Sequence, residues 1–141
     1  MSNRRWGWGL LGMVALGVLW SACSYQPFRQ GEILYANFCA TCHGENGEGF
    51  RDLYPPLANS DYFRENQLET ACIIHYGMDK EIVVNGKTYQ QAMLAVTQLN
   101  DVEICNVINF LSYSWHSGMK TVTIDEVRAQ LESCSDWELL D

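Results

Sequence analysis

Apolar side chains recur at helical intervals between Gly31 and Cys42, which predicts a helix over this segment. Its predicted apolar strips are Ile33, Leu34, Phe38 and Cys42 on one side, with Tyr35 and Cys39 beside them. The helix would run directly into the sequence Cys-Ala-Thr-Cys-His at residues 39–43. Three glycines and a proline pair interrupt the stretch from Gly44 to Ser60, which is typical of a loop.

A second helix is predicted from Gln67 to Tyr76. Asn66 can cap its first turn, Glu69 lies three residues later as in a capping box, and Gly77 follows its end. The next segment contains Asn85-Gly86 between two triplets rich in β-forming residues. Because Asn and Gly both accept the positive φ of a type I′ turn, this segment predicts a β-hairpin.

Two more helices are predicted in the last third of the chain, each starting with a capping box. Asn100 and Glu103 begin the third, and Thr123 and Glu126 begin the fourth, which spans Ile124 to Ser133. Their predicted inward-facing residues are Ile104, Val107, Ile108 and Leu111 in the third helix, and Val127 and Leu131 in the fourth. The chain is therefore predicted to be all-α, a small helical domain with one hairpin.

The N-terminus has the pattern of a processing signal. Arg4 and Arg5 precede an apolar run of 15 residues, shorter than the ~20 that cross a bilayer. The run ends in Ser-Ala-Cys, which resembles the lipobox of bacterial lipoproteins, although Trp20 stands where that motif usually has Leu. We expect cleavage before Cys23 and lipidation of its thiol, with an uncleaved anchor helix as the alternative.

This interpretation divides the chain into four parts: a lipoprotein-type signal peptide (1–22), a linker (23–30), one domain (31–116) and a C-terminal extension (117–141) packed on that domain. Losing residues 1–22 removes two positive charges and no negative one, so the formal charge changes from −8 to −10. A net negative charge of this size argues against nucleic acid and anionic lipid surfaces as partners.

The spacing of Cys39, Cys42 and His43 is the attachment signal for haem c. Residues three apart share a helix face, so both thiols can reach one flat group, while the imidazole points toward its centre. A thioredoxin-like dithiol would need a preceding strand in a βαβ setting. A structural zinc site would need a second ligand pair at similar spacing. Neither feature is present in the sequence, so one covalently attached haem is the favoured cofactor.

With this motif the chain resembles the small monohaem c-type cytochromes of the His/Met-ligated, class I-like group, here in a lipoprotein form. The matching segments are GEILYANFCATCHGENGEG, YPPLANS, HYGMDKEIVVNGKTYQQAM and LNDVEICNVINFL. The resemblance implies the cytochrome c fold, with the hairpin preceding the loop of the axial methionine. It also implies that the carbonyl of Pro55, twelve residues after His43, accepts a hydrogen bond from the haem-binding imidazole.

The resemblance further implies that Met93 is the sixth ligand of the iron, because it precedes Leu99 by six residues in the loop before a C-terminal helix. The proline that usually follows the ligand is replaced by Leu94, which leaves the loop less rigid. Met78 is the next candidate. The remaining alternatives are Met119, His75, expected on the second helix as a surface or satisfied histidine, and His116, assigned to the tail.

Other family positions concern the pocket and the helix packing. Gly31 is expected to allow a close crossing with the last core helix, filled by Phe110, and Leu57 and Leu99 are expected to line the haem faces. Among the cysteines left over, Cys72 and Cys134 are the favoured disulfide, which would fasten the C-terminal extension to the core. Pairing of Cys72 with Cys105 is the main competitor, and Cys105 is otherwise a packed thiol.

The predicted function is that of a one-electron carrier and not an enzyme, on the periplasmic side of the bacterial cell envelope, tethered to a membrane by its lipid. Its expected donor is a quinol-oxidising complex or a dehydrogenase, and its expected acceptor is a terminal oxidase or reductase. One alternative is a haem subunit fixed in a larger respiratory or dehydrogenase complex. Another is a haem sensor or peroxidase-like protein with a labile sixth ligand.

Overall fold

The computed structural model describes residues 27–134, so the predicted signal peptide and Cys23 lie outside the described residues. The elements in chain order are α1 (Arg29–Phe38), α2 (Ala40–His43), α3 (Asp61–Glu65), α4 (Glu69–Tyr76), β1 (Ile82–Val84), β2 (Lys87–Tyr89), α5 (Asp101–Trp115) and α6 (Ile124–Ser133). The predicted helical fold with one small hairpin is confirmed. Within this described part of the chain, no helix is long and apolar enough to cross a membrane.

The core forms where α1 crosses α5. A Cβ placed on Gly31 would lie 2.7 Å from the Cβ of Phe110 and closer still to the backbone of Asn106, so only glycine allows this approach. The buried side chains around the crossing are Leu34, Tyr35, Ile104, Val107, Ile108 and Leu111. Burying this apolar surface is the main force that holds the two ends of the domain together.

The structure corrects the predicted apolar face of the first helix. Ile33 and Phe38 are each 41% exposed, whereas Leu34 and Tyr35 are buried. The face that turns inward is the one that carries Gly31, because the crossing with α5 is made there. The helix also ends earlier than predicted, at Phe38, and α2 begins after a break at Cys39.

The predicted cap of the second helix is also wrong. The side chain of Asn66 donates to the carbonyl of Tyr62, 2.8 Å away, and so closes a short helix, α3, which was not predicted from the sequence. The start of α3 is capped by Ser60, whose hydroxyl accepts from the amide of Phe63. The next helix, α4, begins only at Glu69 and has no side-chain cap.

The hairpin and the two later helices begin as predicted. Asn85 and Gly86 have φ values of 51° and 77°, which fit the type I′ turn between β1 and β2. Both capping boxes are present, Asn100 with Glu103 at the start of α5 and Thr123 with Glu126 at the start of α6. The predicted inward residues of α5 are all buried, with exposures of 2% or less.

The start of the C-terminal extension packs on α4 and α5. Val122 donates to and accepts from the side chain of Asn109, at 2.8 and 2.9 Å, which anchors the segment before α6. A disulfide joins Cys72 on α4 to Cys134, at the end of α6. The thiol of Cys105 is free and buried. Residues 117–134, the described part of the extension, thus belong to the same core as the helices before them.

Candidate functional site

An apolar cavity opens between the loop after α2 and the segment around the hairpin. Its empty volume is about 630 Å³, which includes space that is open to solvent. The residues that line it include His43, Pro55 and Leu57 from the first half of the chain and Met78 and Met93 from the second half. The remaining wall is mostly apolar and includes Phe63, Ile73, Ile74, Ile82, Val84, Val107 and Leu111. Such a cavity favours a large hydrophobic group over a polar metabolite.

His43 is fixed in one orientation within this cavity. Its Nδ1 lies 3.0 Å from the carbonyl oxygen of Pro55. Because a carbonyl only accepts, Nδ1 carries the proton and Nε2 keeps a free lone pair. Burial lowers the pKa of His43, and the Pro55 carbonyl opposes this effect only in part. The imidazole is therefore held neutral, in the form that binds a metal.

The two thiols of the motif lie beside this imidazole. Cys39 lines the cavity and packs against the core, and Cys42 follows one helical turn later, its amide bonded to the Cys39 carbonyl at 3.1 Å. Burial, with a smaller contribution from Cys42, raises the pKa of the Cys39 thiol to about 12. A thiol in this protonated state is a poor nucleophile toward disulfides, which argues against the thioredoxin-like alternative.

The loop after α2 is folded back by backbone hydrogen bonds. Gly49 donates to the carbonyl of His43 at 2.7 Å, and Gly47 accepts from the amides of Leu57 and Ala58 at 2.8 and 2.9 Å. These bonds bring Pro55 over the imidazole. The hydroxyl of Tyr35, on α1, also donates to the carbonyl of Gly44 at 2.6 Å, which fastens the end of the motif to the first helix.

Met93 lies on a second loop, which is bonded to the end of α4. Met78 and Met93 exchange backbone hydrogen bonds of 2.9 and 2.8 Å, and Val96 donates to the carbonyl of Ile74 at 2.8 Å. Gly77 has a φ of 80°, and a Cβ there would lie 2.6 Å from the Met93 carbonyl. These contacts hold the Met93 backbone although Leu94, which replaces the family's proline, is 84% exposed.

The other candidate residues lie elsewhere. Leu99 is buried in the helical core but is not among the residues that line the cavity, so its expected place on a haem face is not supported. Met119 also packs against the core outside the cavity. His75 is on α4, as expected, with its ring against Tyr76. It is not the surface or satisfied histidine that was predicted, because it is half-buried and its Nδ1 has no hydrogen-bond partner among the described residues.

The assignment of His116 to the tail is wrong. His116 caps the end of α5 and is only 1% exposed, with its ring 4.7 Å from that of Phe63. Its Nε2 donates to the carbonyl of Leu57 at 2.8 Å. Burial lowers the pKa of His116, so it is neutral. The sequence holds no signal for this role, because the partner carbonyl lies 59 residues away.

Met78 and Tyr62 are two further cavity residues whose placement depends on the fold. Both line the wall, and the Tyr62 hydroxyl lies 3.8 Å from the sulfur of Met78, a weak hydrogen bond. The cavity is therefore lined by two methionines, one imidazole and the thiol of Cys39, within apolar walls, and Cys42 lies one helical turn beyond Cys39. This donor set suits a flat, hydrophobic iron macrocycle attached through sulfur and ligated by nitrogen and sulfur.

Comparison with known proteins agrees with this arrangement. A family model described as Cytochrome c matches residues 28–115. The chain is similar to two proteins named cytochrome c-552, both from Thermus thermophilus, the second of them from a specified strain of that organism. Each is 34% identical over 107 residues, which is 70% of this chain and 81% and 72% of the two relatives.

Proposed function

Because the chain belongs to the cytochrome c family, and is therefore an electron carrier with covalently attached haem c rather than an enzyme, we propose that it is a membrane-tethered, monohaem carrier of a bacterial respiratory chain. The observation that carries this proposal is the cavity that brings together His43, its Pro55 partner and the Met93 loop. Haem supplies one iron that alternates between two oxidation states, and the polypeptide determines how that change occurs.

Attachment is assigned to Cys39 and Cys42, whose thiols would form thioether bonds, and His43 is the nitrogen ligand. The geometry of His43 fits this role. Its Nδ1 donates a hydrogen bond to the Pro55 carbonyl, so Nε2 is the nitrogen left to bind a metal. The apolar wall, including Leu57, accepts a hydrophobic ring system and keeps water from it. The hydrogen bond to Pro55 also makes the imidazole a stronger donor to iron.

Met93 is the proposed sixth ligand. A thioether is a soft donor that favours the ferrous state, so ligation by histidine and methionine raises the reduction potential relative to two histidines. The bonds from the Met93 loop to Met78 and Ile74 restrain the backbone on that side. Because both ligands are held by backbone hydrogen bonds, we expect little rearrangement when an electron arrives or leaves. A small rearrangement is the condition for fast electron transfer.

The proposed location of the protein in the cell rests on residues 1–23, which are expected to be a lipoprotein-type signal peptide followed by the lipidated Cys23. A lipid on Cys23 would hold the domain on the periplasmic side of a membrane, close to membrane-bound partners. The donor is proposed to be a quinol-oxidising complex or a dehydrogenase, and the acceptor a terminal oxidase or reductase. The net charge of −10 that remains once residues 1–22 are removed suits partners with a basic docking surface.

The proposal is tested by spectra of the full-length protein, made in cells that attach haem c. We expect a methionine–iron charge-transfer band in the ferric protein, a reversible one-electron reduction, and no binding of carbon monoxide by the reduced protein. High-spin iron that binds carbon monoxide readily would instead indicate a sensor or peroxidase-like protein.

Fractionation tests the tether. The protein should remain with membranes until mild detergent is added. A Cys23→Ser variant, in which residues 1–22 are replaced by a signal peptide that is removed without a lipidated cysteine, should lose the lipid and the detergent requirement. Retention of the Cys23→Ser variant on membranes stripped of peripheral proteins would contradict a lipid tether. A protein that purifies without other proteins would support a mobile carrier, whereas stable co-purification with a respiratory complex would indicate a fixed subunit.

A further inference from the structure

Met78 and Met93 face each other across an antiparallel bridge and both line the cavity. Each donates its amide to the other's carbonyl, at 2.9 and 2.8 Å. In such a directly opposed pair, the two side chains leave the backbone on the same face, with Cβ atoms about 5 Å apart. We propose that Met78 is a reserve ligand, whose sulfur binds the haem iron when the sulfur of Met93 leaves it. The inference rests on the proposed ligand role of Met93.

The methionine side chain is well suited to such an exchange. It has three rotatable bonds and a soft sulfur, and it adapts to irregular space. Because the two side chains start from neighbouring backbone positions, their sulfurs can reach a common point inside the cavity. In the exchange one iron–sulfur bond breaks and another of the same kind forms, so neither protons nor electrons are gained or lost. The ligand set stays histidine and methionine throughout.

Tyr62 explains why Met78 would come second. Its hydroxyl lies 3.8 Å from the Met78 sulfur and donates a weak hydrogen bond to it. A sulfur lone pair engaged in this bond is less available to a metal, and the bond draws the side chain toward α3. Removing the hydroxyl should therefore shift the balance between the two sulfurs toward Met78.

The exposed part of the Met93 loop explains why exchange would be useful. Leu94 is 84% exposed, and a proline that would stiffen this position is absent. Met78, by contrast, directly follows Gly77 at the end of α4, a helix joined to α6 by the Cys72–Cys134 disulfide. A ligand from the segment next to α4 would keep the iron six-coordinate whenever the Met93 sulfur leaves it.

The test uses full-length holoprotein labelled with methyl-¹³C methionine. In the reduced, diamagnetic protein, the methyl group of an iron-bound methionine lies close above the haem and is strongly shielded in the NMR spectrum. Wild type should show one such signal. Met93→Leu, which roughly conserves side-chain volume, should retain one shielded methyl, and Met78→Leu/Met93→Leu should lose it. Met93→Leu/Met119→Leu is the matched control and should retain it, because Met119 lies outside the cavity.

Carbon monoxide provides a second readout. An internal sulfur competes with the added gas, so reduced Met93→Leu should bind it roughly tenfold more weakly than the double variant Met78→Leu/Met93→Leu. Equal affinities, together with the absence of a shielded methyl in Met93→Leu, would overturn the reserve-ligand proposal. A wild-type protein with no shielded methyl would instead remove the ligand role of Met93, so the two failures are distinguishable.

Tyr62→Phe tests the same idea with both methionines intact, and decides the matter if Met93→Leu does not fold. It should show a second shielded methyl signal that disappears when Met78→Leu is added. A Tyr62→Phe spectrum with only the wild-type signal would contradict the proposal.

Discussion

Gly77 and Met93 approach so closely that a Cβ on the glycine would lie 2.6 Å from the methionine's carbonyl oxygen. The glycine also has a φ of 80°, which L side chains rarely adopt. We expect Gly77→Ala to push the Met93 backbone away from α4 and weaken the bond between its sulfur and the iron. The measurement is made in the Met78→Leu background, so that no second sulfur can replace that of Met93: the ferric charge-transfer band should fall, and carbon monoxide binding by the reduced protein should rise.

Gly118→Ala is the control for this prediction. Gly118 has a similar φ of 85°, but nothing lies within 4 Å of the position its Cβ would take. The control should therefore lose about 1–2 kcal/mol of unfolding free energy from backbone strain while its spectrum stays that of wild type. Equal spectral change in both variants would mean that the contact with Met93 does not hold the ligand.

His116 is expected to hold the loop that carries Pro55, through its hydrogen bond to Leu57. His116→Phe keeps a ring beside Phe63 but leaves the Leu57 carbonyl without its donor, which should cost roughly 1–3 kcal/mol of unfolding free energy. Chemical denaturation of the holoprotein measures the loss. A midpoint equal to that of wild type would show that this bond does not hold the loop.

The titration of His116 makes the stability depend on pH. Burial lowers its pKa in the folded protein below 6.5, so the unfolded chain takes up the proton first on acidification. Unfolding free energy should therefore fall as the pH drops below about 6.5, until the pKa in the folded protein is passed. His116→Gln, which stays neutral, should show a shallower fall between about pH 7 and 5. Parallel curves for the two proteins would exclude His116 as the source.

The disulfide between Cys72 and Cys134 closes a segment of 62 residues. A cross-link of this span stabilises by restricting the unfolded chain, typically by about 2–4 kcal/mol. Cys72→Ala/Cys134→Ala should lose an amount of this order, measured by denaturant unfolding with and without a reductant. Reductant should destabilise wild type and leave the double variant unchanged.

Cys105→Ala is the control for the disulfide. Cys105 is buried and makes weak sulfur contacts, at 3.5 Å, with the Val122 carbonyl and the Asn109 amide. The variant should keep its sensitivity to reductant. Loss of that sensitivity in Cys105→Ala, with retention in the Cys72/Cys134 variant, would show that Cys105 takes part in the bridge.

The sequence predicted those parts of the fold that are determined by neighbouring residues. The capping boxes at Asn100 and Thr123 involve a partner three residues away, and the turn at Asn85-Gly86 needs only two residues that accept positive φ. In each case the interaction is local, so no knowledge of the tertiary structure is needed.

Features that depend on distant partners were predicted wrongly or missed. Asn66 has the chemistry of an N-cap, but a preceding helix places the Tyr62 carbonyl within its reach. The apolar residues Ile33 and Phe38 are exposed, because the crossing at Gly31 determines which face of α1 turns inward. At the site, the attachment motif is local, whereas Met78 enters the cavity only through its pairing with Met93.

The central claim is that one haem is bound covalently through Cys39 and Cys42. It is tested most directly by acid–acetone extraction of the denatured full-length protein, followed by mass spectrometry of its peptides. We expect the colour to stay with the protein, and the peptide that contains both cysteines to carry the mass of one haem. Complete transfer of the colour to the organic phase, with both thiols free, would contradict the account.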